Sequence, residues 1–153
     1  MRLVFVGELN PYGSDPRFAL YHLPRHASGN RLREHLGLYD HTYEAIPKRN
    51  LCSGRWNMRE AREAALALRT EFDVLVCLGS KVKTAITGPK FSFDPPDFFG
   101  VYHHLSCKYV ALPHPSGLNR VWNQPNAREL TRNLLCLVAP DVPWGETEGW
   151  IQR

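Results

Sequence analysis

YVALPHPSGLNR, Tyr109–Arg120, divides sharply in the middle. Lys108 to Leu112 reads as a buried strand, and it stops dead at Pro113. Pro113 and Pro115 remove backbone donors and fix φ, so the segment is stiff and cannot extend a sheet. A rigid loop that ends a buried strand aims one imidazole, that of His114, into whatever lies beyond the strand end.

Three further segments read as strands: Leu3–Val6, Tyr43–Ile46 continuing toward Leu51, and Val74–Leu78. Their apolar character is nearly continuous, which suits a sheet covered on both faces. Helical signals lie between them. The stretch 28–36 stops at Gly37, a C-terminal stop. Asn57 with Glu60 is an N-cap pair of the capping-box kind, followed by Met58, Ala61, Ala65, Leu68 and Phe72 on one helical face. Ser80 is read as the cap of a short helix through Val82, Ala85 and Ile86. Pro125 is read into the first turn of a last helix with Ala127, Leu130, Leu134 and Leu137 as its apolar stripe. The stretch 88–100, rich in proline and phenylalanine, reads as a loop or lid, and 139–153 as an irregular extension carrying Trp144 and Trp150. Strands alternating with helices predict an α/β fold, a three-layer sandwich around a mostly parallel four-stranded sheet.

At 153 residues and 43% hydrophobic content, the chain suits one globular domain over 1–153. No apolar run has the length of a membrane span. Met1–Gly7 is interrupted too soon by Glu8 to be a signal peptide, so a soluble protein is expected in the cytoplasm, nucleoid-associated if bacterial; a monomer is expected as well. Cys52, Cys77, Cys107 and Cys136 are widely spread and form no C-x-x-C pair, and the seven histidines lack ligand spacing. No metal, cofactor or disulfide framework is expected. A net charge of +4 and a pI of about 9.0 suit a nucleic-acid partner.

In an open α/β sheet, ligands bind outside the carboxyl ends of the strands. The residues there are Glu8, Asn10 and Tyr12 after the first strand, Asn50 at the second, Gly79-Ser80 after the third and His114 after the fourth. One carboxylate, two carboxamides, an imidazole and an aromatic ring meet on one rim. An amide binds a carbonyl and an N–H together, an imidazole donates to a developing oxyanion, and a carboxylate or amide holds a water. Taken alone, 10–13 reads as a turn, since all its residue types favour turns; taken with the His114 loop, it reads as part of a site.

These strand ends, in this order, resemble those of the uracil-DNA glycosylase superfamily. VFVGELNPYG (Val4–Gly13) is similar to the family's first motif, and HASGNRLREHLGL (His26–Leu38) to the helix after it. KRNLCSGRWNMREAREAALAL (Lys48–Leu68) and DVLVCLGSKVKTAITG (Asp73–Gly88) are similar to its middle segments. HPSGLNR (His114–Arg120) is similar to its His-Pro-Ser motif. Asn10 stands where one branch carries Asp. Gly7-Glu8 matches the thermophile-type branch, but that branch's cluster cysteines are missing, so no iron–sulfur cluster is implied.

The resemblance implies hydrolysis of the N-glycosidic bond of uracil or a related deaminated base, flipped out of DNA. It implies that His114 donates to the departing base and that Asn10, or alternatively Glu8, positions water. Asn50 would read the base edge, Tyr12 would crowd the pyrimidine C5, and Tyr21 would stack on the base. Ser116, Leu118 (as a wedge) and Arg120 would contact DNA, and Arg25, Arg31, Lys81 and Lys83 are further candidates for phosphate contacts. Two other functions stay open: a non-catalytic DNA- or protein-binding module of this fold, and a small-molecule nucleoside or nucleotide hydrolase. Ser116 is not in a Gly-x-Ser-x-Gly elbow, which argues against a serine-nucleophile hydrolase.

Overall fold

The computed structural model describes residues 2–9, 19–23, 25, 27–86, 97–104, 106–116 and 120–149. Its elements run β1 (Leu3–Gly7), α1 (Ser28–Leu36), α2 (Asp40–Ala45), β2 (Lys48–Asn50), α3 (Met58–Glu71), β3 (Val74–Leu78), α4 (Ser80–Ala85), β4 (Gly100–His104), β5 (Cys107–Leu112) and α5 (Ala127–Val138). Short 3-10 turns occupy Arg120–Asn123 and Glu146–Glu148. The sheet order is β2-β1-β3-β5-β4, parallel except for β4, which pairs antiparallel with β5.

Side chains alternate across the pleat, so each central strand feeds two cores. Leu3, Phe5, Val74, Val76, Leu78, Val110 and Leu112 face α1, α2, α5 and the C-terminal segment. Val4, Val6, Leu75, Cys77 and Tyr109 face α3 and α4. This is the expected three-layer α/β sandwich, with helices on both faces of the sheet. No helix among the described residues is long and apolar enough to cross a membrane.

Several local expectations are corrected. The sheet has five strands, not four. The fifth, β4, is a half-exposed edge strand of Gly-Val-Tyr-His-His, which lacks the continuous apolar signature of its neighbours. Tyr43–Ile46 is not strand. Tyr43 lies on α2, where its fully buried ring enters the core and its hydroxyl donates to Leu20 O at 2.6 Å. Pro47 follows, and Lys48 Nζ donates to the carbonyls of Tyr43 and Ile46, satisfying the end of the helix. β2 starts only there, with Lys48, Arg49 and Asn50 opposite Phe5, Val6 and Gly7.

The apolar stripe of α5 is also out of phase with the sequence reading. Ala127, Thr131, Arg132, Leu135 and Val138 are buried, whereas Leu130 and Leu137 are 43% and 77% exposed. Both faces satisfy the spacing of three and four residues, so spacing alone does not choose between them. The choice follows the Arg132 guanidinium, which donates to Glu148 from two nitrogens, at 2.7 and 3.1 Å, and to His35 O at 3.1 Å. Pro125 stands before the N-cap Asn126 rather than in the first turn. The N-cap of α4 is Gly79, at φ +94°, not Ser80.

The end of α1 matches its expectation. Gly37 is left-handed at φ +65°, its N–H reaches Glu34 O and the Leu38 N–H reaches Arg33 O, a Schellman closure. The capping box on α3 is half formed. Asn57 Oδ1 accepts from the Glu60 N–H at 3.0 Å, but the Glu60 carboxylate turns to the Ser53 N–H and hydroxyl. The Asn57 N–H goes instead to Cys52 Sγ at 3.4 Å. Asn57→Ala is expected to lower stability by about 1 kcal/mol, a fall in Tm of about 2–4 °C for a domain of this size. A thermal melt of the variant checks this, and an unchanged Tm would remove the cap from the account.

Candidate functional site

The strand order reverses between β1 and β3. The chain leaves β1 for β2 on one side, then returns to β3 on the other. Such a reversal opens a crevice at the carboxyl ends of the two strands. In register, Asn50 stands beside Gly7, Cys77 beside Val6, and Leu78 beside Leu112. The residues that follow these ends therefore share one edge of the sheet.

Gly79 lies directly after β3, at the carboxyl end of the strand. A Cβ built there would lie 3.4 Å from Glu8 Oε1, 3.3 Å from His114 Cβ and 3.4 Å from His114 Cδ2. The carboxylate and the imidazole thus converge on one bare backbone position. Its φ of +94° is a conformation that only glycine adopts readily, so the approach and the turn both require Gly79. The Gly79 N–H donates to Leu112 O at 2.9 Å, tying the turn to the strand that carries His114.

Gly7 does the same for Asn50. A Cβ there would sit 2.7 Å from Asn50 Oδ1 and 3.4 Å from the Leu20 side chain. The Asn50 carboxamide therefore lies across the end of β1, one residue from Glu8. Backbone bonds hold this corner: Leu51 N–H to Gly7 O and Cys52 N–H to Glu8 O, each at 3.0 Å.

His114 is half-buried between buried Pro113 and Pro115. Its Nδ1 accepts the Ser116 N–H at 3.1 Å, so the neutral ring carries its proton on Nε2 and keeps that N–H as a donor. Burial moves its pKa below the ordinary histidine value, and the Glu8 carboxylate opposes that shift without cancelling it. The loop is also gripped from behind. Trp122 Nε1 donates to Pro113 O at 3.3 Å, and the His35 ring stacks on the Trp122 indole at 4.5 Å and 5°. Among arginines 31, 128 and 132, and mainly because it is buried, His35 has its pKa lowered to about 4, so it stacks as a neutral ring.

The sequence-predicted residues separate into groups. The structure brings Glu8 and His114 together at Gly79, places Asn50 beside them over Gly7, and puts Ser116 on the His114 ring through its backbone. Tyr21 follows Leu20, which packs toward Gly7, and its ring lies 4.8 Å from that of His22. Arg120 is exposed and opens the 3-10 turn that carries Trp122. Asn10, Tyr12 and Leu118 lie outside the described residues. Arg25 is committed elsewhere, since it grips Asp40 with two bonds of 3.0 and 2.9 Å.

The sequence reading gave no role to two residues that the site uses. Gly79 had a signal, a glycine directly after a buried strand. Trp122 had none, because its partner Pro113 becomes visible only once the chain has folded back. Among the described residues, no three of His, Cys, Asp and Glu form a group that could hold a metal ion. Chemically, the arrangement pairs a neutral N–H donor with a carboxylate acceptor across Gly79, beside a carboxamide able to read a C=O/N–H edge. Comparison of the chain with models of known protein families and with curated proteins finds no match in either.

Proposed function

We propose that the chain is a monofunctional DNA glycosylase of the uracil-DNA glycosylase type, hydrolysing the N-glycosidic bond of uracil or a related deaminated base. The observation that carries this reading is the convergence of Glu8 and His114 on Gly79, with Asn50 over the neighbouring Gly7.

The chemistry follows from those groups. As the bond between the base and C1′ breaks, its electron pair passes to the base and negative charge grows on the carbonyl oxygen beside that nitrogen. The His114 Nε2–H donates to this oxygen, and a donor preorganised in a partly dry site stabilises the transition state more than the ground state. The sugar becomes oxocarbenium-like and positive, which the Glu8 carboxylate favours. A water that Glu8 accepts a hydrogen bond from adds its oxygen to C1′ and gives up a proton, and the departing base ends protonated. Asn50 presents one acceptor and one donor, matching the adjacent C=O and N–H of uracil. The base must leave the stack to reach them.

The test is cleavage of labelled DNA carrying uracil as single strand, opposite guanine and opposite adenine, with abasic sites opened by alkali. Strand breaks that depend on both the protein and the uracil are expected. Intact strands with uracil, and again with hypoxanthine and xanthine, would overturn the proposal.

A pH dependence follows from the His114 loop. Protonation of Nδ1 would set an N–H against the Ser116 N–H, so the geometry requires the neutral ring. Because its folded pKa is lowered, the ring stays neutral below the pH at which an ordinary histidine, of pKa about 6.5, is half protonated. kcat/KM is expected to stay flat from pH 8 to about 6.5 and to fall only on the acid side. The same shift acts on stability. The unfolded chain binds this proton more readily, so the contribution is full above the unfolded pKa and is lost as pH falls through the folded one. A rate profile breaking above pH 7 would contradict the assignment.

A further inference from the structure

The cations of this chain are unevenly partnered. Arg25 and Arg33 meet Asp40, Arg49 meets Glu71, Arg59 meets Glu63, and Arg132 meets Glu148. Among the described residues, Arg31, Lys48, Arg62, Lys108 and Arg120 form no ion pair, and nor do three cations on or near α4: Arg55, Lys81 and Lys83.

Two of these cations rest on aromatic rings instead. Lys81 Nζ lies 5.7 Å from the centroid of the Trp56 indole, and Lys83 Nζ lies 4.3 Å from that of the Phe98 ring. Both lysines are on α4, which begins beside Gly79, the position that Glu8 and His114 share. They are two residues apart, so they leave the helix on opposite flanks, at about 100° per residue. One carries its charge toward the loop after β2, which holds Trp56, and the other toward the turn before β4, which holds Phe98. Both rings are only half-buried.

Aromatic rings interleaved with unneutralised cations suit a single nucleic-acid strand. An ammonium over a ring is weakly held, and a phosphate attracts it more strongly. When the ammonium moves to a phosphate, the ring face it leaves can take a base. A base can use that face only if its own face is free. Bases inside a duplex are covered on both sides by their neighbours.

We infer that α4 and its two flanking rings form a shoulder of the site that binds single-stranded DNA. Lys81 and Lys83 take phosphates, and Trp56 and Phe98 stack the bases that neighbour the one drawn into the crevice. That the strand is DNA rests on the glycosylase reading; the stacking geometry does not.

The experiment uses the full chain and a fluorescein-labelled oligonucleotide with no damaged base, as single strand and as duplex. Fluorescence anisotropy is read at several salt concentrations. The single strand is expected to bind more tightly than the duplex. Trp56→Ala should weaken single-strand binding roughly tenfold without a matching loss on duplex, and Trp56→Phe, which keeps a ring, should recover most of it. The double variant Lys81→Gln/Lys83→Gln should reduce the slope of log K against log salt by about 1.4, near 0.7 for each lost phosphate contact. Thermal melts confirm folding, and Trp56→Leu, which fills the same space without a ring, replaces Trp56→Ala if the latter unfolds. Equal losses on both DNA forms, or no loss on either, would overturn the inference. The probe carries no lesion, so the outcome is separate from catalysis. Binding as described in a protein that never releases uracil would sink the glycosylase reading alone.

Discussion

Replacement of His114 by alanine is expected to lower kcat on uracil-containing DNA by about 100- to 1000-fold, with KM little changed. The reasoning is geometric. Pro113 and Pro115 stiffen the backbone on either side, Ser116 N–H occupies Nδ1, and Trp122 Nε1 holds Pro113 O. The ring is therefore held in one orientation, and in the proposed reaction its remaining N–H would strengthen its bond as charge reaches the departing base. A donor used mainly in the transition state shows in kcat rather than in KM. Glu8 is close enough to raise the pKa of His114, yet burial keeps it low, so the donor is a neutral imidazole rather than an imidazolium. Single-turnover cleavage of uracil DNA by the wild type and the variant makes the comparison, with a melting curve to show that the fold survives. Undiminished cleavage by a folded variant would remove the imidazole from the chemistry.

The largest effect on stability is expected from Trp144→Ala, a loss of about 3–5 kcal/mol. Trp144 is fully buried in a segment with no long element of its own. Its ring lies 6.4 Å from that of Phe5, on the interior strand β1, and its Nε1 donates to Ala139 O at 2.9 Å. Around it the segment is stitched to the end of α1, Gly145 N–H to Leu36 O and Thr147 N–H to Gly37 O. The same stitching brings in Glu148, which answers the guanidinium of Arg132, a side chain only 4% exposed. Removing the indole leaves a void and loosens Glu148, whose carboxylate neutralises the buried Arg132, and these losses add. Small domains are held by only about 5–15 kcal/mol, so the variant should unfold at a far lower denaturant concentration. A loss under about 1 kcal/mol would mean that the segment docks without its tryptophan, contrary to the packing cost of such a truncation.

How much of this was legible in the chain differs from element to element. Val74–Leu78 and Lys108–Leu112 are read directly, because strands covered on both faces leave an unbroken apolar trace. Tyr43–Ile46 misled, since a short apolar run fits strand and helix equally. Lys48, whose ammonium caps α2, decides between them only in three dimensions. The reading that continues toward Leu51 still puts Asn50 on the strand-end rim, and the structure ends β2 there, with Asn50 beside Gly7 of β1. β4 escaped because an edge strand needs apolar side chains on little of its surface.

The chain by itself determined the parallel α/β plan, the proline-bounded His114 loop and the rim to which the strand ends lead. These rest on local chemistry: apolar runs, missing backbone donors and glycines where a turn must be tight. Which face of α5 is buried, that Glu8 and His114 meet over Gly79, and that Trp122 holds the loop from behind emerge only when the chain folds. Each of these depends on how the chain folds back on itself, over nine residues between Pro113 and Trp122 and over most of the chain between Glu8 and His114, and no spacing along the chain encodes such a contact. It arises when buried charges and N–H groups such as Arg132 and the Trp122 indole find their partners, because leaving them unpaired costs more than any local preference of the helix or loop that carries them.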